Sequence, residues 1–461
     1  MSWKHLLTLP VAISLALGGS GLNARTQAFT QAQSQVQSQA QSQGYIASVA
    51  DKTRTAHSIA VSSTVRPDAL YHRVWRLIKE DFYEPSFTGQ SWDRWEHRYD
   101  GKLKNLDDSH KAIETMLASL GDRYTRFLDR DAFDDEKSQI DAKLYGIGVQ
   151  IGLHKDSHKV IVITPIEDTP AFKAGILPSD EISEIDGKST KGFNVEDAAK
   201  HIRGEINTPV NLVLLRGGKR VRIKVVRAEI SIKAVPTAKM LDSDIGYIRL
   251  SSFISQQANR EMKEAIAKLS GAKGIVLDLR DNPGGLLTNA IDISNMFLDS
   301  GNILSTVDRD GYKTPALSDG HPICMKPLAL LINKGSASAS EITSGALHDN
   351  NRAVLVGQKT FGKGLVQGIN RLEDGTGVNV TIARYLTPSD TDIHKKGISP
   401  DVAVELSEQD LKDKKGPWWL DKQEGGVKVT PENSKDVQLK AAVEAVRKRI
   451  QENDHLAVGM R

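Results

Sequence analysis

A chain of 461 residues exceeds what one hydrophobic core organises, so two or three domains are expected. Its 61 basic and 58 acidic residues leave a net charge of only +3 and no basic stripe, which excludes a nucleic-acid partner. The lone cysteine, Cys324, excludes an internal disulfide and reads as a packing thiol. The 12 histidines show no His-Glu-x-x-His or comparable spacing, so no metal and no cofactor is expected.

The N-terminus has the form of an export leader. Lys4 and His5 precede an apolar run, Leu6 to Gly18, then small residues and Ala24. The run is short for a bilayer span. We place a signal peptide at residues 1–24. Leu22 suits cleavage poorly, which leaves an uncleaved anchor as the alternative. No cysteine follows the run, so a lipoprotein is excluded. From Gln31 to Gln43 every odd position is glutamine, with too little apolar surface to offset ordering entropy. Residues 25–65 therefore read as a disordered linker.

Order is expected from Arg66-Pro67-Asp68, opening a helical region over 66–134. Leu70, Val74, Leu77 and Ile78 recur at helical spacing. A second helix is expected from Ser109 to Leu120, with Gly121 as its C-cap. Trp92 and Trp95 between them read as core anchors.

Residues 135–230 carry short strands and two helices. Gly146 to Ile151 and Lys159 to Ile163 read as strands, and Thr169 to Gly175 as a short helix with a glycine stop. Asp180 to Gly187 enters a tight turn, and Asn194 caps a helix running to Arg203. Val210 to Leu215 and Val221 to Val226 flank Arg216-Gly-Gly-Lys219, a hairpin by its turn chemistry. This order resembles a PDZ domain. The resemblance implies that a peptide strand pairs beside the strand after Gly146, its terminal carboxylate held by backbone N–H groups of Gly146, Ile147 and Gly148. Val195, Ala199 and Ile202 would line the groove. The plainer reading is that Gly-Ile-Gly only turns a strand.

Over 231–405 strands and helices alternate. Gly274 to Leu279 is a strand, Arg280-Asp-Asn-Pro-Gly-Gly285 a turn, and Leu286 to Phe297 a helix. Leu328 to Ile332, Gly335-Ser-Ala-Ser-Ala-Ser-Glu341 and the helix after it repeat that plan. A hydroxyl at such a helix start meets unpartnered N–H groups and the positive end of the dipole, which suits an oxyanion. Of Ser336, Ser338 and Ser340, Ser338 has Glu341 three residues on, a capping box, so it reads either as a helix cap or as a nucleophile. In Thr360-Phe-Gly-Lys-Gly364 two glycines flank Lys363, so the amine can be packed closely and desolvated. Its pKa then falls, and a neutral amine can take the serine proton. Gly357 to Lys363 mimics a phosphate loop, but Gly364 replaces the Ser/Thr and a strand follows where a helix is required. Residues 406–461 are charged, hold one amphipathic helix, Val437 to Ile450, and show no chemistry.

GSASASEI, followed by TFGKG and then Gln367, resembles the C-terminal processing (tail-specific) peptidases, from about Tyr71 to about Asp401. FTGQSW resembles the cyanobacterial and plastid members. Carried over, Ser338 is the nucleophile, Lys363 the base and Gln367 the side chain orienting it. The oxyanion donors are the amides of Ala339 and Gly284, with Gly285 as fallback. With Lys363 and the DNPGG turn present, the nucleophile reading of Ser338 is preferred to the cap. Asp349 matches an acidic residue considered for the family's site, but eleven helical residues place it about 16 Å from Ser338. Arg123 stands where the family usually has proline, and is expected to leave the chemistry undisturbed.

The resemblance implies a multidomain α+β/α/β protein: a helical N-terminal region, a PDZ domain, and a crotonase-like α/β protease core. It implies an exported serine endopeptidase, in a periplasm or thylakoid-lumen-type compartment, acting on protein substrates with unstructured C-terminal tails. Membrane proximity would come through the substrate or an uncleaved leader. The alternatives are a non-catalytic ligand- or peptide-binding protein on the same scaffold and a PDZ adaptor with a vestigial core. Intact Ser338, Lys363 and DNPGG count against both.

Overall fold

The computed structural model describes residues 65–459, apart from short breaks at 142, 155–156, 166–168, 178–179, 232, 422 and 425–426. The expected leader and nearly all of the glutamine-rich linker lie outside the described residues. Among the described residues no helix is long and apolar enough to cross a membrane.

The first helix, Pro67–Asp81, opens on proline, which lacks only an N–H that no helix start can use. It buries Leu70, Tyr71, Val74, Trp75, Leu77 and Ile78, a stripe repeating every three or four positions. The second helix, Leu106–Ala118, begins three residues before the expected Ser109. Asn105 caps it instead, its side chain accepting from the Asp108 N–H. Trp92 and Trp95 are each 3% exposed, and Trp75 and Trp92 exchange indole-to-carbonyl hydrogen bonds. A short strand, Arg126–Leu128, then pairs antiparallel with Gly377–Leu386, so the helical region is sewn to the far end of the core.

The next unit is a sheet with strands in the order Val149–Leu153, Val160–Pro165, Glu181–Ile185, Pro209–Arg216 and Lys219–Val226. The strand expected from Gly146 to Ile151 is broken. Lys143–Gly146 pairs elsewhere, with Ala228–Ser231, and the chain turns at Gly148, φ 77°, before Val149. Val149–Leu153 is thereby the outer strand of its sheet. The hairpin has Arg216 opposite Lys219, with Gly217 and Gly218 at φ 54° and 78°, as a two-residue type I′ turn requires. The helix Val195–Ile202 is closed by a reciprocal Asn194–Asp197 capping box.

The last unit has a six-stranded sheet in the order Thr237–Met240, Ile245–Arg249, Gly274–Asp278, Leu328–Ile332, Val354–Gly357 and Val402–Ala403, all neighbours parallel except the first pair. Both faces are covered, so its strands read as unbroken apolar runs. Ile275, Leu277, Leu328, Leu330 and Ile332 share one core with residues of the helices Ala258–Lys268, Leu287–Asn295 and Ala339–Asp349. Val276, Ala329, Leu331 and Val356 share another with Leu439, Ala442 and Val446 of the helix Val437–Gly459. The C-terminal segment is therefore a structural layer. It also supplies Asp436 to fully buried Arg280, which Asp278 grips from the other side. In a second, antiparallel sheet, Gly377–Leu386 carries Leu365–Arg371 on one edge and Arg126–Leu128 and Asn302–Val307 on the other.

Candidate active site

Ser338 sits at the start of Ala339–Asp349 with φ 55° and ψ −115°. A side-chain-bearing residue in that region stores roughly 1–3 kcal/mol of strain, the mark of an imposed geometry. Its neighbours are committed: the Ser336 hydroxyl donates to Leu279 O at 2.7 Å and the Ser340 hydroxyl to Asn282 O at 2.9 Å, both fully buried. The Ser338 hydroxyl makes no such bond and is partly exposed. Of the three serines, it alone is free to react.

The glycine turn lies against this serine. A Cβ on Gly284, φ 97°, would come within 2.9 Å of Ser338 Cβ and 2.8 Å of Ala339 N, so only glycine fits. Among the described residues the Ala339 N–H has no acceptor, and it faces this space. The Gly284 N–H is engaged, donating to Asn282 Oδ1 at 2.9 Å, whereas the Gly285 N–H has no acceptor among the described residues. The turn is tied to the serine loop through Ala337 N to Asn282 O, 3.0 Å.

Two side chains lock the serine and lysine loops together. Glu341, fully buried, accepts four hydrogen bonds: Ser338 N at 2.9 Å, Lys363 N at 2.8 Å, Gly362 N at 2.7 Å and Thr360 Oγ1 at 2.6 Å. The sequence reads it as a capping-box partner, and it is also the pin between the loops. Tyr385 shares its phenol O–H between Ser338 O, 3.1 Å, and Lys363 O, 2.8 Å. Capping spacing gave the first half of Glu341's role; nothing in the sequence marks Tyr385.

Lys363 is half-buried, and its amine is pushed below the ordinary lysine value, first by burial and next by Arg126. Asp122 and Glu136 oppose that shift and Arg123 adds to it. The amine makes no hydrogen bond to the Ser338 hydroxyl; it lies 4.7 Å from the centre of the Tyr124 ring. Gln367, at a bulge in Leu365–Arg371, makes no hydrogen bond to it either, and its buried Nε2 has no partner. Arg123, expected to leave the chemistry undisturbed, lies beside the lysine loop. Its guanidinium packs 4.8 Å from the Tyr124 ring and 5.4 Å from the Phe361 ring. Asp349 closes the far end of the serine helix. Burial pushes its carboxyl up, but hydrogen bonds from His348, Thr387 and Ser389 outweigh this and hold it low.

In the turn before the strand Val149–Leu153, the Ala171 N–H and the Thr169 hydroxyl donate to the carbonyls of Ile147 and Gly148, at 2.7 and 3.0 Å. Among the described residues the N–H groups of Ile147 and Gly148 have no hydrogen-bond acceptor. A Cβ on Gly148 would lie 2.3 Å from Thr169 Cβ. Ile147 and Ile202 are core residues, supporting this edge from beneath, while Val195 is 37% exposed and Ala199 half-buried.

Residues 244–404 match peptidase family S41 and residues 146–226 match the PDZ domain. The chain is 40% identical over 339 residues to the carboxyl-terminal-processing protease of Synechocystis sp., covering 72% of this chain and 79% of that one. It is 40% identical to the carboxy-terminal processing protease CtpA of Bacillus subtilis, over 73% of this chain and 68% of that one. Against carboxyl-terminal-processing peptidase 2 of Arabidopsis thaliana, chloroplastic, identity is 36%, covering 75% and 72%. A solved structure of photosystem II D1 C-terminal processing protease superposes with a TM-score of 0.55 at 33% identity, covering 74% of this chain and 94% of that one.

Proposed function

We propose that this chain, a serine protease belonging to peptidase family S41, cuts near protein C-termini with a Ser338–Lys363 dyad. Ser338 attacks the scissile carbonyl as its proton passes to the neutral amine of Lys363, which later gives it to the leaving amine. Gln367 steadies the lysine by offering its side-chain oxygen as acceptor to the amine N–H. The developing oxyanion is received by the Ala339 N–H and by the glycine turn. There Gly284 must share its N–H with Asn282, and Gly285 is the alternative donor. One observation carries this reading. Of the loop's three serines, the one whose hydroxyl donates to no carbonyl stands in a strained turn whose backbone shares Glu341 with the lysine loop.

The PDZ domain would receive the substrate's chain end. The amides of Ile147 and Gly148, which have no acceptor among the described residues, and the outer strand Val149–Leu153 support carboxylate capture and strand addition. Similar proteins are named for processing carboxyl termini, one of them that of photosystem II D1. For this chain we take the substrate class to be unstructured C-terminal tails of proteins, met after export through the leader at 1–24.

Labelling with a fluorophosphonate, followed by peptide mapping, tests the dyad. Modification is expected at Ser338, absent in Lys363→Ala, and declining on acidification as the lysine becomes protonated. Labelling that persists in a folded Lys363→Ala protein would sink the dyad.

A further inference from the structure

The protonated form of Lys363 has a partner of its own. Among the described residues Lys363 forms no ion pair, and its Nζ lies 4.7 Å from the centre of the Tyr124 ring. Arg123 covers the same ring, its guanidinium carbon 4.8 Å from the centre and its Nη2 donating to the Tyr124 hydroxyl at 2.6 Å. The same guanidinium is 5.4 Å from Phe361, two residues before Lys363. Tyr124 is itself held, its N–H donating to Asp122 Oδ1 at 3.0 Å, while the other Asp122 oxygen receives the hydroxyls of Thr125 and Thr381. Ring, guanidinium and lysine loop thus form one stack, built from the N-terminal region onto the base.

A lysine that serves as a base begins neutral and becomes an ammonium. The Ser338 Oγ–H bond breaks, the amine lone pair takes the proton, and the serine oxygen uses the freed electron pair to bond the carbonyl carbon. Positive charge therefore appears on Nζ in a half-buried place where no carboxylate among the described residues forms an ion pair with it. An aromatic face stabilises a cation there, by about twofold to thirtyfold in an equilibrium or rate. We propose that Tyr124 is a positioning residue for Lys363, receiving the ammonium on its ring, and that Arg123 clamps that ring to the lysine loop. This rests on the Ser338–Lys363 reading.

The groups facing Lys363 are few. Arg126 of the strand Arg126–Leu128 and Arg123 disfavour its protonation, while Asp122 and Glu136 of the helix Arg130–Ile140 favour it. Glu341 and Tyr385 bind its backbone, and His394 adjoins Gly364. With carboxylates and guanidiniums opposed, removing one charge moves the lysine in a defined direction.

The test is the rate of Ser338 modification by a fluorophosphonate across pH, on the full purified chain. Tyr124→Leu is expected to lower the alkaline plateau about threefold to thirtyfold and to move the acid limb to lower pH, since the ring no longer favours the ammonium. Tyr124→Phe keeps the face and should recover the plateau to within about twofold. Arg123→Gln should move the limb the other way, up by about 0.3–0.5 pH unit, and Arg123→Lys should restore it. The Arg123→Gln shift should collapse in ~1 M salt, where exposed charges are screened. Arg123 is exposed, so its two variants report even where Tyr124→Leu unfolds. Unmoved limbs in both Arg123→Gln and Tyr124→Leu, with Ser338 still labelled, overturn this inference and leave the dyad standing. No labelling of Ser338 in the wild type removes the dyad, and this inference with it.

Discussion

The junction of the serine and lysine loops and the outer edge of the PDZ sheet are built on opposite plans. At the junction nearly every polar group of the backbone has a fixed partner: Glu341 takes four donors, Tyr385 bridges two carbonyls, and Ser336 and Ser340 are spent on anchoring. Among the described residues the Ser338 hydroxyl donates to no carbonyl and the Ala339 N–H has no acceptor. At the PDZ edge the carbonyls of Ile147 and Gly148 are tied back, while among the described residues their N–H groups have no acceptor and the strand after them has no neighbour on its outer side. Bond making needs atoms held to fractions of an ångström, whereas adding a peptide strand needs an unpaired edge. Disturbing the first should therefore give steep losses, and disturbing the second graded ones.

The largest effect is expected for Ser338→Ala and Lys363→Ala, each abolishing peptide cleavage with melting unchanged. Because the two act as one proton-transfer unit, the double variant should be hardly worse than either single one. Additive losses in a kinetic comparison of the three would break the junction into independent parts.

Next comes Glu341→Gln. Its amide nitrogen must face N–H or O–H donors that now meet an oxygen, leaving buried bonds unmade at about 1–3 kcal/mol each. Cleavage should fall by about a hundredfold and the melting temperature should drop with it. A variant that melts lower yet cleaves at the wild-type rate would show that the pin serves stability alone.

At the PDZ edge the expected change is graded. Amidating a substrate's C-terminus replaces an acceptor with a donor facing donors, costing about 1–3 kcal/mol, or roughly five- to 150-fold in affinity. Free-acid tails should be cut correspondingly better, and Ile147→Asp should erase the difference without slowing a short peptide supplied in excess. Since Ile147 is a core residue, the variant's melting must be followed alongside. Equal cleavage of acid and amide tails by the intact enzyme rules out carboxylate capture.

The smallest effect is expected for Asp349→Asn. The Asp349 carboxyl is held low in the folded chain, so it adds stability above its unfolded pKa near ~4, and that stability fades as pH falls through the folded value. Loss of about 1 kcal/mol near neutral pH, with turnover intact, is the expected result of thermal melts and initial rates. Lost turnover at unchanged melting would bring Asp349 into the chemistry.

Much of the fold was legible because its signals are local. Leu328–Ile332 matches its expected bounds, the Arg216–Lys219 hairpin has the turn that two glycines dictate, and Asn194 caps as predicted. The second helix began early because Asn105, not Ser109, offered the capping oxygen. The break at Ile147–Gly148 was missed because an apolar run does not reveal that its two halves pair with different partners. The C-terminal helix looked incidental in a charged segment, and its partner face, Val276, Ala329 and Leu331, lies far away in the chain.

At the site, the sequence by itself determined the two loops, the glycine turn and the residue types they hold. Small residues between a strand and a helix leave few backbone solutions, and lysine between glycines few surroundings. It did not determine which hydroxyl is free, since Ser336 and Ser340 are spent on Leu279 and Asn282, more than fifty positions away. Nor did it reveal that Glu341 binds the lysine loop, that Asn282 occupies the Gly284 amide, or that Tyr124 lies under the base. Those were decided by the tertiary structure. Each depends on a side chain meeting a distant backbone group or ring, and no local propensity encodes that meeting.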